Sequence, residues 1–142
     1  MSVLLYAESS AVLAWLLGQA QGEAVADVLR TSTGVIACDL TLVECERVLI
    51  RAWSNGLISE AERVGQSAVL ARAAAHWIRL RVDEEVIERA RRPFPVEPVR
   101  ALDALHLASA LVARSAAPEL RLLTLDQRVR ENGVRLGFVT VP

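Results

Sequence analysis

Residues 3–16, VLLYAESSAVLAWL, change their periodicity halfway along. Val3 to Ala7 is a short apolar run of strand formers, whereas from Ser9 or Ser10 onward Ala11, Val12, Trp15 and Leu16 recur at helical spacing. A strand that runs straight into a helix is the opening of a β–α unit. At the joint stand a carboxylate, Glu8, and two hydroxyls, Ser9 and Ser10.

The same alternation continues outward from this stretch. Glu23 to Leu29 reads as a helix, Gly34 to Cys38 as a second strand, and a further helix from Asp39 or Thr41 carries Leu42, Val43, Val48, Leu49 and Trp53 to a stop near Asn55-Gly56. Ser59-Glu-Ala-Glu62 has the form of a capping box and introduces an alanine-rich helix to about Ala75. His76 to Val82 alternates as a strand does, and Asp83 to Arg92 returns to helix. After the proline loop from Arg92 to Pro98 come an apolar helix over Arg100 to Arg114, a strand over Leu120 to Thr124, a short helix over Gln127 to Asn132 and a last strand over Val134 to Val141. Strands alternating with helices predict a three-layer α/β/α sandwich on a mainly parallel central sheet, with residues 1–142 forming one domain. In such a sheet the turns leaving the strands gather at the carboxyl edge, where ligands bind.

Composition narrows the function classes. The first glycine is Gly18, so the first strand–helix turn carries no glycine-rich phosphate loop. The formal net charge of −1 excludes nucleic-acid binding by bulk positive charge, while leaving room for a local basic patch. All 16 basic residues are arginine, and the absence of lysine argues against receiver or phosphatase-like sites that need one. Cys38 and Cys45 lack a metal or redox spacing and are expected to be buried as small hydrophobes. No apolar run is long enough to span a bilayer and no signal-peptide pattern opens the chain, so a soluble cytoplasmic protein that does not engage membranes is expected.

Glu8, Glu44, Asp103 and Asp126 all fall near predicted helix starts. Each alone also fits an ordinary cap, since carboxylates near a helix N-terminus gain about 0.3–1 kcal/mol, and Thr41 to Glu44 has the form of a capping box. Asp103 fits that reading least, because it sits among Ala101, Leu102, Ala104, Leu105 and Leu107 and needs a partner there. If the helices start at one sheet edge, the carboxylates repel one another unless a hard cation such as Mg²⁺ or Mn²⁺ joins them. Such an ion activates water for displacement at a phosphodiester.

The segments LLYAESSAVLAWLL, LTLVECERVLIRA, ALDALHLASALVA and LLTLDQRVRENGVRLGFVTV, in this order, resemble the PIN-domain family, particularly the VapC toxins of bacterial toxin–antitoxin pairs. The resemblance covers nearly the whole chain and is strongest in ALDALHLASAL and in Thr124-x-Asp126. It implies a PIN-like sandwich and an endoribonuclease using Mg²⁺ or Mn²⁺, with Glu8, Glu44, Asp103 and Asp126 as catalytic and metal-binding acids. Ser9 and Thr124 are the implied supporting hydroxyls. It also implies a structured RNA substrate such as transfer or ribosomal RNA, a homodimer, and a VapB-like antitoxin partner. The sequence departs from the family at its first acid, usually aspartate and here Glu8. One methylene moves the carboxylate by roughly 1.3 Å, and about 1 Å at a catalytic centre costs on the order of a hundredfold. The alternative is therefore a weakened or inactive PIN-fold module that binds RNA or antitoxin.

Among the remaining residues, Arg79, Arg81, Arg89, Arg91, Arg92 and Arg100 read as a solvated face or as phosphate contacts, with the former favoured. Arg47, one turn beyond Glu44, is placed either to pair with it or to face phosphate. His106, one turn after Asp103, is expected to be a hydrogen-bonded core residue, with a metal ligand as the lesser alternative; Trp15, Trp53 and Trp77 are expected in the core or an interface.

Overall fold

A computed structural model describes residues 2–142. The opening stretch forms β1 (Leu4–Ala7) and α1 (Ser9–Leu16), joined by Glu8 alone. Then follow α2 (Gly22–Thr31), β2 (Gly34–Cys38), α3 (Asp39–Ser54), α4 (Glu60–Ala74), β3 (Ile78–Leu80), α5 (Glu84–Ala90), α6 (Ala101–Ala116), β4 (Arg121–Leu123), α7 (Gln127–Arg135) and β5 (Thr140–Val141). All four strand pairings are parallel, and the order across the sheet is β3-β2-β1-β4-β5.

Period-two alternation in the strands divides the core into two halves. Leu5, Ala7, Val35 and Leu123 face Ala11, Val12 and Leu16 of α1, Val25 of α2, Cys45 of α3 and Leu70 of α4. Tyr6, Ile36, Cys38 and Leu122 point to the opposite face, against Ala104, Leu107 and Ala110 of α6 and Val129 of α7. This is the expected α/β/α sandwich. Gly133 lets α7 lie close to β4, because a Cβ there would meet Leu122 Cδ2 at 2.5 Å.

The strand order places the site. The chain begins in the middle of the sheet, builds outward through β2 and β3, then returns to the other side of β1 with β4 and β5. Between β1 and β4 the successive connections leave in opposite directions, opening a crevice at their carboxyl ends. Glu8 follows β1 and Asp126 lies three residues beyond β4.

Two local expectations are corrected. The last strand does not begin at Val134, because α7 runs on to Arg135 and the chain then turns at Gly137, whose φ of 91° suits glycine. Only Thr140–Val141 pairs with β4. Nor do Thr41 and Glu44 form a capping box. The helix starts at Asp39 with Cys38 as its N-cap, and the Thr41 hydroxyl, inside the first turn, donates to the Ala7 carbonyl at 3.2 Å. The Ser59 to Glu62 capping box is present. Among the described residues, no helix is long and apolar enough to cross a membrane.

Candidate functional site

Glu8 is the N-cap of α1, and its carboxylate is only 4% exposed. Three donors converge on its Oε2: the Ser10 backbone N–H at 3.1 Å, the Ser10 hydroxyl, and the Thr124 hydroxyl at 2.8 Å. The Thr124 oxygen in turn accepts the Asp126 N–H at 3.1 Å, and the Ser10 oxygen accepts the Leu125 N–H at 2.9 Å. Asp126 caps α7 through Oδ1, which accepts the Val129 N–H at 2.9 Å. The first and last acids are thus tied across the β1–β4 crevice by one shared hydroxyl.

Glu44 occupies the second turn of α3 and is held separately. Its Oε1 accepts from the Ser9 hydroxyl at 2.9 Å and from His106 Nε2 at 2.5 Å. Asp103 lies in the first turn of α6, with Arg100 Nε 3.5 Å from Oδ2. The Arg100 side chain is itself largely exposed, so this pair neutralises Asp103 only weakly.

The electrostatics are those of crowded acids. Burial raises the Glu8 carboxyl above its ordinary range, and the Ser10, His106 and Thr124 interactions only partly offset it. Asp103 is raised by burial and then by the charge of Asp126, which outweigh Arg100. Burial would raise Glu44 as well, but His106 and Ser9 outweigh burial and hold it below the usual carboxylate value.

Each of the four acids keeps at least one oxygen without a hydrogen bond to the described residues: Glu8 Oε1, Glu44 Oε2, Asp126 Oδ2 and both oxygens of Asp103, which meets only the Arg100 ion pair. Among the described residues, no three acidic, imidazole or thiol side chains stand close enough, as they lie, to ligate a single ion. The donor set still fits a hard divalent cation. It consists of oxygens alone, two of the carboxyls are held above their ordinary ionisation range, and each acid has an uncommitted oxygen.

The expected residues therefore fall into two groups and a bridge. Glu8, Thr124 and Asp126 form one network, Ser9 and Glu44 belong to another, and Asp103 couples to Asp126 through charge. Sequence reasoning placed Ser10 at the joint without giving it a role in the site, and did not single out Arg130. Ser10 supplies two of the three donors to Glu8, and its position two residues after a capping acid was the available signal. Arg130 binds the Thr124 carbonyl at 2.5 Å and reaches Thr140 and the Pro142 carbonyl, strapping β5 to the site. No spacing rule would have found that tertiary bond. His106 is buried and hydrogen-bonded as expected, with a carboxylate of the site as its partner.

Elsewhere, Arg79 pairs with Asp39 at 3.6 Å, Arg91 pairs with Glu88 at 3.6 Å, and half-buried Arg89 lies over the Phe94 ring at 4.3 Å. Arg47 makes no ion pair with Glu44; with Ile50, Arg51 and Ser54 it lines a shallow basic depression of about 300 Å³. Trp15 and Trp77 line an apolar groove of about 310 Å³ with Leu29 and Val35, and Trp53 is partly exposed beneath Arg63. Cys38 and Cys45 are both buried, and burial pushes the Cys45 thiol up to about 12, with Glu44 and Glu8 adding to the effect.

Comparison with known proteins gives a consistent family. A sequence model of the family described as PIN domain matches residues 5–134. The chain is similar to Ribonuclease VapC35 of Mycobacterium tuberculosis, 33% identical over 140 residues that cover 97% of this chain and 96% of that protein. It is similar also to Ribonuclease VapC46 of the same species, 31% identical over 137 residues covering 96% and 95%. In fold it resembles crystalline M. tuberculosis VapC20, a sarcin–ricin loop cleaving toxin, with a TM-score of 0.67, 16% identity and 97% and 99% coverage. A toxin–antitoxin complex from Klebsiella pneumoniae is similar at a TM-score of 0.64 and 16% identity, covering 99% of this chain and 97% of that one.

Proposed function

Since this chain belongs to the PIN-domain family, we propose that it is a metal-dependent endoribonuclease, the toxin of a VapBC-like toxin–antitoxin pair, which hydrolyses phosphodiester bonds in structured RNA. The observation that carries this reading is the set of four acids around the β1–β4 crevice, each with at least one oxygen left uncommitted. The ribonuclease names of the two relatives, which match this chain along almost its full length, support the same reaction class.

Glu8, Glu44, Asp103 and Asp126 would hold Mg²⁺ or Mn²⁺, with residues 1–142 acting as one PIN-like domain. When bound, the ion supplies Lewis-acid activation of water and neutralises charge that develops on the phosphate. The chain's own residues hold the acids in place. Thr124 and Ser10 fix Glu8, and the N-terminus of α7 fixes Asp126. Ser9 and His106 fix Glu44. Arg100, exposed and beside Asp103, is suited to meet a phosphate of the incoming strand through its planar, multi-donor guanidinium. The substrate class is ribosomal or transfer RNA, in line with the sarcin–ricin loop cleaved by the VapC20 neighbour. The partner is a VapB-like antitoxin, in line with the Klebsiella complex, and the working form is a cytoplasmic homodimer.

A second reading keeps the fold and the partners but weakens catalysis. It is favoured by Glu8 itself, whose longer side chain is engaged by three donors and serves as a helix cap. Purified protein incubated with structured RNA and Mg²⁺ or Mn²⁺ separates the two. The nuclease reading expects cleavage that chelator abolishes and that Asp103→Asn and Asp126→Asn both lose. No cleavage by the wild type or by Glu8→Asp would refute it, and cleavage restored only in Glu8→Asp would establish the second reading.

A further inference from the structure

His106 is 1% exposed and lies among leucines on α6, one turn beyond Asp103. A buried imidazole costs free energy unless both nitrogens find partners, and an apolar side chain of the same size would fill the space without that cost. Both nitrogens are engaged. Nδ1 is 2.9 Å from the Tyr6 hydroxyl of β1, whose ring meets the imidazole edge-on at 73°. Nε2 is 2.5 Å from Glu44 Oε1 and 3.1 Å from Ser9 Oγ.

The proton assignment follows from the partners. An ionised carboxylate only accepts, so Nε2 carries the hydrogen and donates to Glu44. Ser9 gives its own proton to the same Oε1, and its oxygen shares the Nε2–H. Tyr6 fixes the ring from the far side. Two elements, α1 through Ser9 and α6 through His106, therefore converge on one oxygen of one acid from α3, with β1 bracing the imidazole through Tyr6, and Glu44 Oε2 is left free.

We propose that His106 is a positioning residue for Glu44, occupying Oε1 so that Glu44 offers Oε2 alone to the cation of the site. This rests on the reading of the four acids as a cation site. Because Asp103 and His106 lie one turn apart on α6, a single helix supplies one acid directly and orients a second through its imidazole. Groups that orient metal-binding carboxylates typically govern affinity by about 10–100-fold.

The test is Mn²⁺ binding to the full chain without RNA, followed by calorimetry and by the electron paramagnetic resonance of free Mn²⁺. His106→Asn reaches only the Tyr6 side of the pocket and weakens binding by about 10–100-fold, whereas His106→Gln carries an amide N–H to the Nε2 position and recovers most of the affinity. Combined with Glu44→Ala, His106→Asn costs nothing further, because the oxygen it positions is already gone. Equal affinities for His106→Asn and His106→Gln, or losses that multiply in the double variant, overturn the proposal and leave His106 as core packing. If the wild type binds no Mn²⁺ at neutral pH, the four-acid reading falls and this proposal falls with it.

Discussion

Replacing Thr124 with valine conserves volume and deletes one fully buried hydroxyl. That hydroxyl donates to Glu8 Oε2 at 2.8 Å and accepts the Asp126 N–H at 3.1 Å. Losing a donor to a carboxylate costs roughly 1.5–3 kcal/mol, and an orphaned N–H adds about 1 kcal/mol, so the total is about 2.5–4 kcal/mol. Unfolding entropy of about 2.1 cal/mol/K per residue gives about 0.3 kcal/mol/K for this chain of 142 residues, so Tm falls by about 8–13 °C. Scanning calorimetry with chelator at pH 7 reads this directly. Thr124→Ser keeps the hydroxyl and loses only a methyl, about 1 kcal/mol or about 3 °C. The sign of the pH dependence is also set. The Thr124 bond favours ionised Glu8, whose titration burial has already raised, so the gap between wild type and Thr124→Val narrows as pH falls through that titration. A drop below about 3 °C at pH 7, or an equal drop for Thr124→Ser, would refute the claim that this hydroxyl holds the site together.

Asp103→Asn is expected to abolish cleavage while stabilising the metal-free chain. The raised Asp103 carboxyl binds protons more readily folded than unfolded, so its ionisation destabilises the fold as pH rises through its titration. The gain in urea midpoint should be present at pH 7 and vanish in acid; a pH-independent gain would contradict this. Glu8→Asp should raise Mn²⁺-dependent cleavage by up to about a hundredfold, and a lower rate would show that the pocket is matched to glutamate. Arg130→Ala removes the bonds to Thr124, Thr140 and Pro142, at a cost of about 1–3 kcal/mol. Hydrogen exchange should then quicken at the Leu122 and Thr124 amides, which donate to Val139 and Val141; unchanged protection would mean that β5 does not depend on the strap.

The architecture was legible because strand-to-helix changes of period are local. VLLYAESSAVLAWL yields β1, its joint and α1 from spacing alone, and the Gly34 and Cys38 limits of β2 are those expected. The end of the chain was not legible in this way. Val134 to Val141 alternates well enough to pass as a strand, but Gly133 is tolerated in α7 because close packing on β4 compensates for its low helix propensity. Thr41 and Glu44 have capping-box spacing, yet the helix begins earlier because the Thr41 hydroxyl finds a partner in the neighbouring strand at Ala7. The site shows the same division. The four acids stand out by their place at helix starts and Ser10 reaches Glu8 from two residues away, whereas His106, which positions Glu44, and Tyr6, which braces that imidazole, act across the fold and have no periodic signature.

The central claim is that the acids of the β1–β4 crevice gather around a divalent cation. Anomalous diffraction from crystals grown with Mn²⁺ tests it most directly. A peak is expected within coordination distance of Asp103 and Asp126, with Glu8 or Glu44 completing the set, and it should be lost in Asp103→Asn. A Mn²⁺-active protein whose only peak lies away from these four residues would contradict it.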